Sequence, residues 1–402
     1  MSHLKTFGSP ERYVQGPNAT AHLGKEMTKL GMKGPVVVVS SGTPSRILGP
    51  IWAKALRDAG YKFSDMAFGG VSTKSEAEKI ASYAKNIDAK TLVAFGGGQV
   101  IDAVRAASIN CGCEVVSCPT IASTDAPCST LCVMYHEDRS FADYLFTKRH
   151  PTLVLVDTYA VAQAPSRMLV GGLGDALATY FEARSVRECN GDNFLGAKQT
   201  ESGLALAKLC YEILIEDGAA GVQAVDANAL TPALERVVEA NTLLSGLGFE
   251  SGGLGIAHAV HNGITTQPKH TEYTHGEKVA FGLLTQLIAE GRPQAELQTV
   301  LKFCSDVGLP ITLAGVGVDA SDDAAIQEIA ERAADPGETS HNSPVKVDAS
   351  VIAHALRAAD RCGSLYQQGR ATYGGRGNSS HDNNDDMKVD QVLVRIPTSE
   401  VE

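Results

Sequence analysis

His258 and His261 lie three residues apart within Gly252-Gly253-Leu254-Gly255-Ile256-Ala257-His258-Ala259-Val260-His261-Asn262-Gly263. That spacing puts both imidazoles on one helical face. His270 and His275 follow, the latter where a new helix should start, so four imidazoles fall within eighteen residues. A cluster of this kind is either structural or metal-binding, and the residues alone leave both open. It is not His-Glu-x-x-His, so zinc-protease chemistry has no support. If a metal is held, two imidazoles and one carboxylate leave a coordination position free, as catalytic zinc requires.

Three further stretches could meet a ligand. Gly96-Gly97-Gly98 stands between a strand and a helix. Glycines there let the backbone approach a ligand, and a helix N-terminus with its free N–H groups suits a diphosphate. Ile101 occupies the last glycine position of G-x-G-x-x-G, so the dinucleotide fingerprint is absent and a plain tight turn is the alternative. Cys118 to Ser129 follows the next strand and carries four hydroxyls and Asp125. It is either a ligand loop at a strand's carboxyl end or a polar loop that caps a helix. Gly172-Leu173-Gly174-Asp175 opens a helix, where Asp175 is either an N-cap or a ligand.

The elements that must position these residues alternate at first. Strands are expected at 36–39, 63–68, 91–95, 115–118 and 153–156, with helices at 51–59, 76–86 and 100–110 between them. Short apolar strands separated by helices imply a parallel sheet covered on both faces. Leu131–Tyr135 and Tyr144–Phe146 flank a polar stretch and read as an inserted β-hairpin. After Asp157 only helices are expected, at 175–187, 197–217, 232–244, 275–290, 296–307, 323–333 and 349–366. The fold class is therefore an α/β N-terminal domain with a mostly parallel sheet, plus an all-α C-terminal domain. The expected division is 1–162, 163–369 and a polar, disordered tail over 370–402, where Tyr373 to Asp386 offers almost nothing to bury. There is no internal repeat.

Composition narrows the function classes. The 402 residues are 44% hydrophobic and 20% charged, which excludes wholesale disorder. A net charge of −11 argues against binding a nucleic-acid backbone. No apolar run reaches the ~18 residues of a membrane helix, and the start lacks a signal-peptide core. The expectation is a soluble cytoplasmic protein. Its nine cysteines include no C-x-x-C pair and read as reduced, apolar thiols.

Five segments carry a resemblance: GGGQVIDAVRAA, PTIASTDAPCSTLCVMY, GLGDALATYFEARS, TPALERVVEANTLLSGLGFESGGLGIAHAVHNG and HGEKVAFGLLTQL. In this order and spacing they resemble the glycerol dehydrogenases, the metal-dependent polyol branch of the iron-containing alcohol dehydrogenase superfamily. The resemblance implies a dinucleotide-binding domain, a helical domain and an active site between them. It implies metal ligands at Asp175, His258 and His275, with His261 beside them rather than among them. Substrate contacts fall on Asp125, which would hydrogen-bond a hydroxyl and help relay the proton, and on His258. Cofactor contacts fall on Gly96, Gly97, Gly98, Gln99, Asp102, Thr120, Ser123, Ser129, Leu131 and Tyr135.

Two positions depart from the family pattern. Ser41 stands where an acidic residue usually holds the adenosine ribose, and Gln99 stands where Lys is common. NAD is the expected cofactor, with NADP use left open. The implied activity is zinc-dependent oxidation of glycerol, or a related vicinal diol, by a homo-oligomer, an octamer in the family pattern. Two alternatives are a dehydroquinate-synthase-like cyclase, which would need clustered Lys and Arg for a substrate phosphate, and a non-catalytic nucleotide-binding regulator.

Overall fold

The computed structural model describes residues 4–369; the expected tail over 370–402 lies outside them. The chain enters through β1 (Arg12–Gly16) and α1 (Leu23–Lys29), and then alternates. β2 (Val36–Ser40) leads to α2 (Gly42–Asp58), β3 (Phe63–Ala67) to α3 (Lys74–Asn86), β4 (Thr91–Gly96) to α4 (Gly98–Cys111), and β5 (Glu114–Pro119) follows. The hairpin β6 (Leu131–Tyr135) and β7 (Phe141–Phe146) comes next, and β8 (Leu153–Asp157) closes the α/β part. The valine run of β2 and the leucine–valine run of β8 are buried throughout, as strands covered on both faces must be.

Six strands form one parallel sheet in the order β1-β8-β5-β4-β2-β3. The chain steps outward from β2 to β3 and then crosses back to place β4 on β2's other side. This reversal opens a crevice at the carboxyl ends of β2 and β4, the place where open α/β sheets bind ligands. The β2–β4 register sets Ser40 opposite Phe95, so Ser41 and the glycine turn stand side by side.

Two strand-region expectations need correction. β1 has no strong sequence signal, since its Arg12 and Gln15 are polar and all five residues are only half-buried at the sheet edge. α2 starts nine residues before the expected 51, because Pro44, Gly49 and Pro50 disguise its first half. Pro44 sits in the first turn, where a missing N–H costs nothing.

Helices follow: α5 (Thr158–Ala162), α6 (Ser166–Glu188), α7 (Glu201–Asp226), α8 (Pro232–Glu239), α9 (Ser245–Gly252), α10 (Ile256–Ile264), α11 (His275–Ala289), α12 (Gln294–Val307), α13 (Asp323–Ala333) and α14 (Ala349–Gln367). A π-helical turn over Ala240–Leu244 joins α8 to α9, so the helix expected to end at 244 runs on to 252. α6 begins at Ser166, not at Asp175. Asp175 is therefore in mid-helix and fully buried, which removes the N-cap reading. Among the described residues, no helix is long and apolar enough to cross a membrane.

The helices meet through glycine. A Cβ on Gly276 would lie 1.7 Å from the Gly171 carbonyl oxygen, and one on Gly174 would lie 2.3 Å from the Gly276 carbonyl. α6 and α11 thus touch backbone to backbone beside Asp175 and His275. Likewise, a Cβ on Gly282 would lie 2.3 Å from the Ala257 carbonyl, where α11 crosses α10. Gly276→Ala should destabilise the protein by about 1–3 kcal/mol or more through overpacking. Gly42→Ala, at the start of α2 where a Cβ meets nothing, should not. Urea unfolding of the two variants checks this.

Candidate active site

Three helices each supply one polar side chain to a single point. His275 Nε2 lies 3.1 Å and His258 Nε2 3.3 Å from the same oxygen, Asp175 Oδ1. One ligand atom from each residue falls within 4.8 Å of the others. His258 is in the first turn of α10, and His275 is the first residue of α11. Thr274 and Glu277 form a capping box at that end, and Arg167 grips the Glu277 carboxylate, which fixes where α11 begins.

Each imidazole is held from behind. His258 Nδ1 donates to Glu182 Oε2 at 2.7 Å, while Glu182 Oε1 accepts the backbone N–H groups of Gly255 and His258. One buried carboxylate thus caps α10 and turns its imidazole so that Nε2 faces Asp175. His275 Nδ1 lies 2.9 Å from His261 Nε2, and His261 Nδ1 lies 3.1 Å from Asn262 Oδ1. His261 therefore stands behind a candidate ligand. Glu182 was not singled out from the sequence. The signal was its position seven residues after Asp175, on the same helical face.

Electrostatics at this point favour a cation. Burial works to raise the Asp175 pKa, but the His275 and His258 imidazoles outweigh it and hold the carboxyl well below its ordinary value. Burial opposes a charged His258, yet Glu182 and Asp175 outweigh it and hold that imidazole well above its ordinary value. His261 is driven the other way, by burial first and then by His275 and Lys278, and stays neutral. Two imidazole nitrogens and a carboxylate oxygen, with both Nδ1 atoms engaged elsewhere, are a donor set that suits zinc or another divalent transition metal.

A cavity of about 290 Å³ opens in front of Asp175 and His275. Gly97, Gly98 and Gln99 form one wall, and Ser123, Thr124 and Asp125 another. Asp102 and, from the hairpin, Val133 and Tyr135 line it too. No Lys or Arg is among its lining residues. Gly97 and Gly98 are glycines for space: a Cβ there would meet Ile121 at 2.9 Å or Thr124 Oγ1 at 3.0 Å. They form the N-terminus of α4, whose first N–H groups have no intrahelical partner. Gln99 Oε1 is buried without a hydrogen-bond partner. This cradle fits a dinucleotide diphosphate.

Asp125 ties its wall of the cavity to the helices. Its backbone N–H donates to Asp175 Oδ2 at 3.1 Å, and its own Oδ2 accepts from the Ser245 hydroxyl at 2.9 Å. Burial, then the neighbouring Asp175 charge, raise its pKa well above the ordinary value. Its side chain caps no helix.

The other expected residues fall outside this cavity lining. Ser41 is the N-cap of α2, with Oγ 3.4 Å from where a Cβ on Gly96 would sit. The Thr120 N–H donates to the Gly96 carbonyl at 3.1 Å. Ser129 and Leu131 lie behind the wall, where the buried Arg105 guanidinium donates to the carbonyls of Ala126, Ser129 and Leu131 and to Asp102. His258 sits one layer back, against Asp175.

The iron-containing alcohol dehydrogenase family profile matches residues 10–158. A glycerol dehydrogenase of Thermotoga maritima is 43% identical over 356 residues, covering 89% of this chain and 97% of that protein. The chain belongs to the iron-containing alcohol dehydrogenase family. Another relative, a glycolaldehyde reductase of Halobacterium salinarum, is also 43% identical, covering 89% of this chain and 97% of its own. The crystal structure of a probable glycerol dehydrogenase from Sinorhizobium meliloti superimposes with a TM-score of 0.86 at 38% identity, covering 90% of this chain and 99% of that one. For this iron-containing alcohol dehydrogenase family member, Glu182→Gln should lower affinity for zinc by about 10–100-fold, because it removes the partner that orients His258. Calorimetric titration of the metal-stripped protein measures it.

Proposed function

We propose that this chain oxidises glycerol, or a closely related vicinal diol, to the hydroxyketone by hydride transfer to a nicotinamide dinucleotide. The observation that carries this reading is that one cavity is walled by the glycine turn, by Asp125 and by the Asp175–His275 pair. The relatives' names add to it, since glycerol and glycolaldehyde both carry oxygen on adjacent carbons. Zinc is the proposed metal, with Asp175, His258 and His275 as its ligands. When bound, the metal supplies Lewis acidity that lowers the pKa of the substrate hydroxyl, and the dinucleotide supplies the hydride acceptor.

The chain's own residues do the rest. Gly97, Gly98 and the start of α4 hold the diphosphate, and Gln99 Oε1 accepts from the cofactor. Asp102, Thr120, Ser123 and Tyr135 are proposed as further cofactor contacts, with Ser129 and Leu131 supporting the wall. Glu182 and His261 keep the two imidazoles turned toward Asp175. Asp125, positioned by Ser245, hydrogen-bonds the hydroxyl next to the reacting carbon and is the group placed to take part in proton relay. A substrate without that hydroxyl leaves a buried carboxyl unpaired, and so is disfavoured. A cyclase that grips a substrate phosphate is disfavoured by the lack of Lys or Arg in the cavity lining.

In this reading, residues 1–162 supply the dinucleotide side and residues 163–369 the metal side. The proposal extends to a cytoplasmic homo-oligomer, an octamer as the resemblance implies. All nine thiols are free, the state a reducing compartment maintains.

Turnover of glycerol with NAD should disappear on chelation and return with zinc; full activity of metal-free protein overturns the reading. Asp125→Asn should reduce kcat/KM for glycerol by about 10–100-fold while leaving the cofactor KM unchanged, because it removes a buried carboxyl that hydrogen-bonds the substrate hydroxyl. Steady-state kinetics across a diol panel measures this. Cofactor choice tests Ser41. An acidic side chain there would repel a 2′-phosphate, whereas the Ser41 hydroxyl does not, and Arg46 is exposed one turn into α2. NAD should be used, and NADP to a measurable extent. Ser41→Asp should lower the NADP/NAD ratio of kcat/KM by about 10–100-fold.

A further inference from the structure

The segment between α13 and α14 reaches the metal-ligand side of the molecule through one side chain. The Glu338 carboxylate is gripped by the Arg332 guanidinium and nearly excluded from solvent. It accepts two contacts from Asn262 Nδ2, at 3.1 and 3.3 Å, and Tyr144 Oη lies 3.1 Å from the same nitrogen. From Asn262 the contacts run to His261, from His261 to His275, and from His275 to Asp175.

We propose that Glu338 is a positioning residue for the metal site, fixing the tautomer of His275 through Asn262 and His261. This rests on the reading of Asp175, His258 and His275 as metal ligands. The argument is one of donor and acceptor counting. A carboxylate offers only acceptors, so Asn262 must turn its amide nitrogen toward Glu338. Its Oδ1 then faces His261, whose Nδ1 must carry the hydrogen. With that hydrogen on Nδ1, His261 presents Nε2 as an acceptor, so His275 Nδ1 must donate to it. His275 Nε2 is then the unprotonated nitrogen, and it faces Asp175 Oδ1. Glu182 does the same for His258 in one step. Glu338 does it for His275 in three, from a segment that belongs to none of the site motifs.

The isosteric Glu338→Gln reverses the chain. Its amide oxygen stays with Arg332, so its nitrogen faces Asn262. Asn262 then turns its oxygen outward and its nitrogen toward His261, and the hydrogen in each imidazole moves to the other nitrogen. His275 Nε2 becomes N–H and can no longer ligate. Adding Asn262→Asp restores the direction, because a carboxylate accepts from both the new amide and His261 Nδ1. Zinc affinity of the metal-stripped full chain, measured by competition with a chromophoric chelator, tests this, with circular dichroism confirming the fold of each variant. Wild type should bind one zinc. Glu338→Gln should bind about 10–100-fold more weakly. The double variant Asn262→Asp/Glu338→Gln should recover most of that loss. If wild type binds zinc and Glu338→Gln binds it equally well, or if the double variant is no tighter than Glu338→Gln, the proposal fails. If wild type and His275→Ala both fail to bind zinc, it is the metal reading that falls, and the proposal with it.

Discussion

The contact between α6 and α11 is the constraint on which the site depends. Asp175 and His275 are a hundred residues apart in sequence, yet Asp175 Oδ1 and His275 Nε2 stand within hydrogen-bonding distance. Gly174 and Gly276, next in the chain to each, let the two backbones touch. A Cβ on either glycine would run into the other helix's backbone, so the two helices would have to part. The third donor follows the same rule, since α11 reaches α10 across Gly282. Precision at the site thus comes from main chain pressed on main chain, which varies less than rotamers do.

Around that contact, buried charge is arranged in pairs. Two carboxylates, Asp175 and Glu182, sandwich the His258 ring. Glu250 on α9 accepts from the Thr130 backbone N–H and hydroxyl and meets His150 Nε2 at 2.6 Å, tying the helices to the base of the hairpin. Each such group would be costly alone in the interior and is tolerated because its partner arrives from another part of the chain. The Asp125 backbone N–H bound to Asp175 makes the same join at the cavity itself.

Much of this was legible in sequence. The β2 and β8 runs, the hairpin, the glycine turn and the start of α11 all carry local signals of periodicity, β-branching or capping. Asp175, His258 and His275 came from the resemblance, because no local rule separates a mid-helix ligand from an N-cap when Gly172 and Gly174 hide the preceding helical turns. The structure does put the three together. What sequence reading missed are the residues that act by orienting others. Glu182, Arg105 and Glu338 look like ordinary charges on helices or in a loop, and only tertiary contact shows what each faces. The edge strand β1 was missed for a related reason. Its half-buried, mixed residues satisfy the β8 ladder without showing a hydrophobic pattern.

Arg105 carries a consequence for anyone who would transplant parts of this enzyme. Its guanidinium is anchored on α4, seven residues after Gly98, and it holds the carbonyls that shape the loop beyond Asp125. α4 and the loop that carries Asp125 are therefore one module with a single pivot. A graft of the loop alone into another scaffold would leave three carbonyls without their donor and let Asp125 drift. A graft of α4 alone would keep the Asp102–Arg105 pair but leave the guanidinium without its three carbonyl acceptors. Recombination between homologues should therefore tolerate crossovers before β4 or after β6 far better than any cut between them.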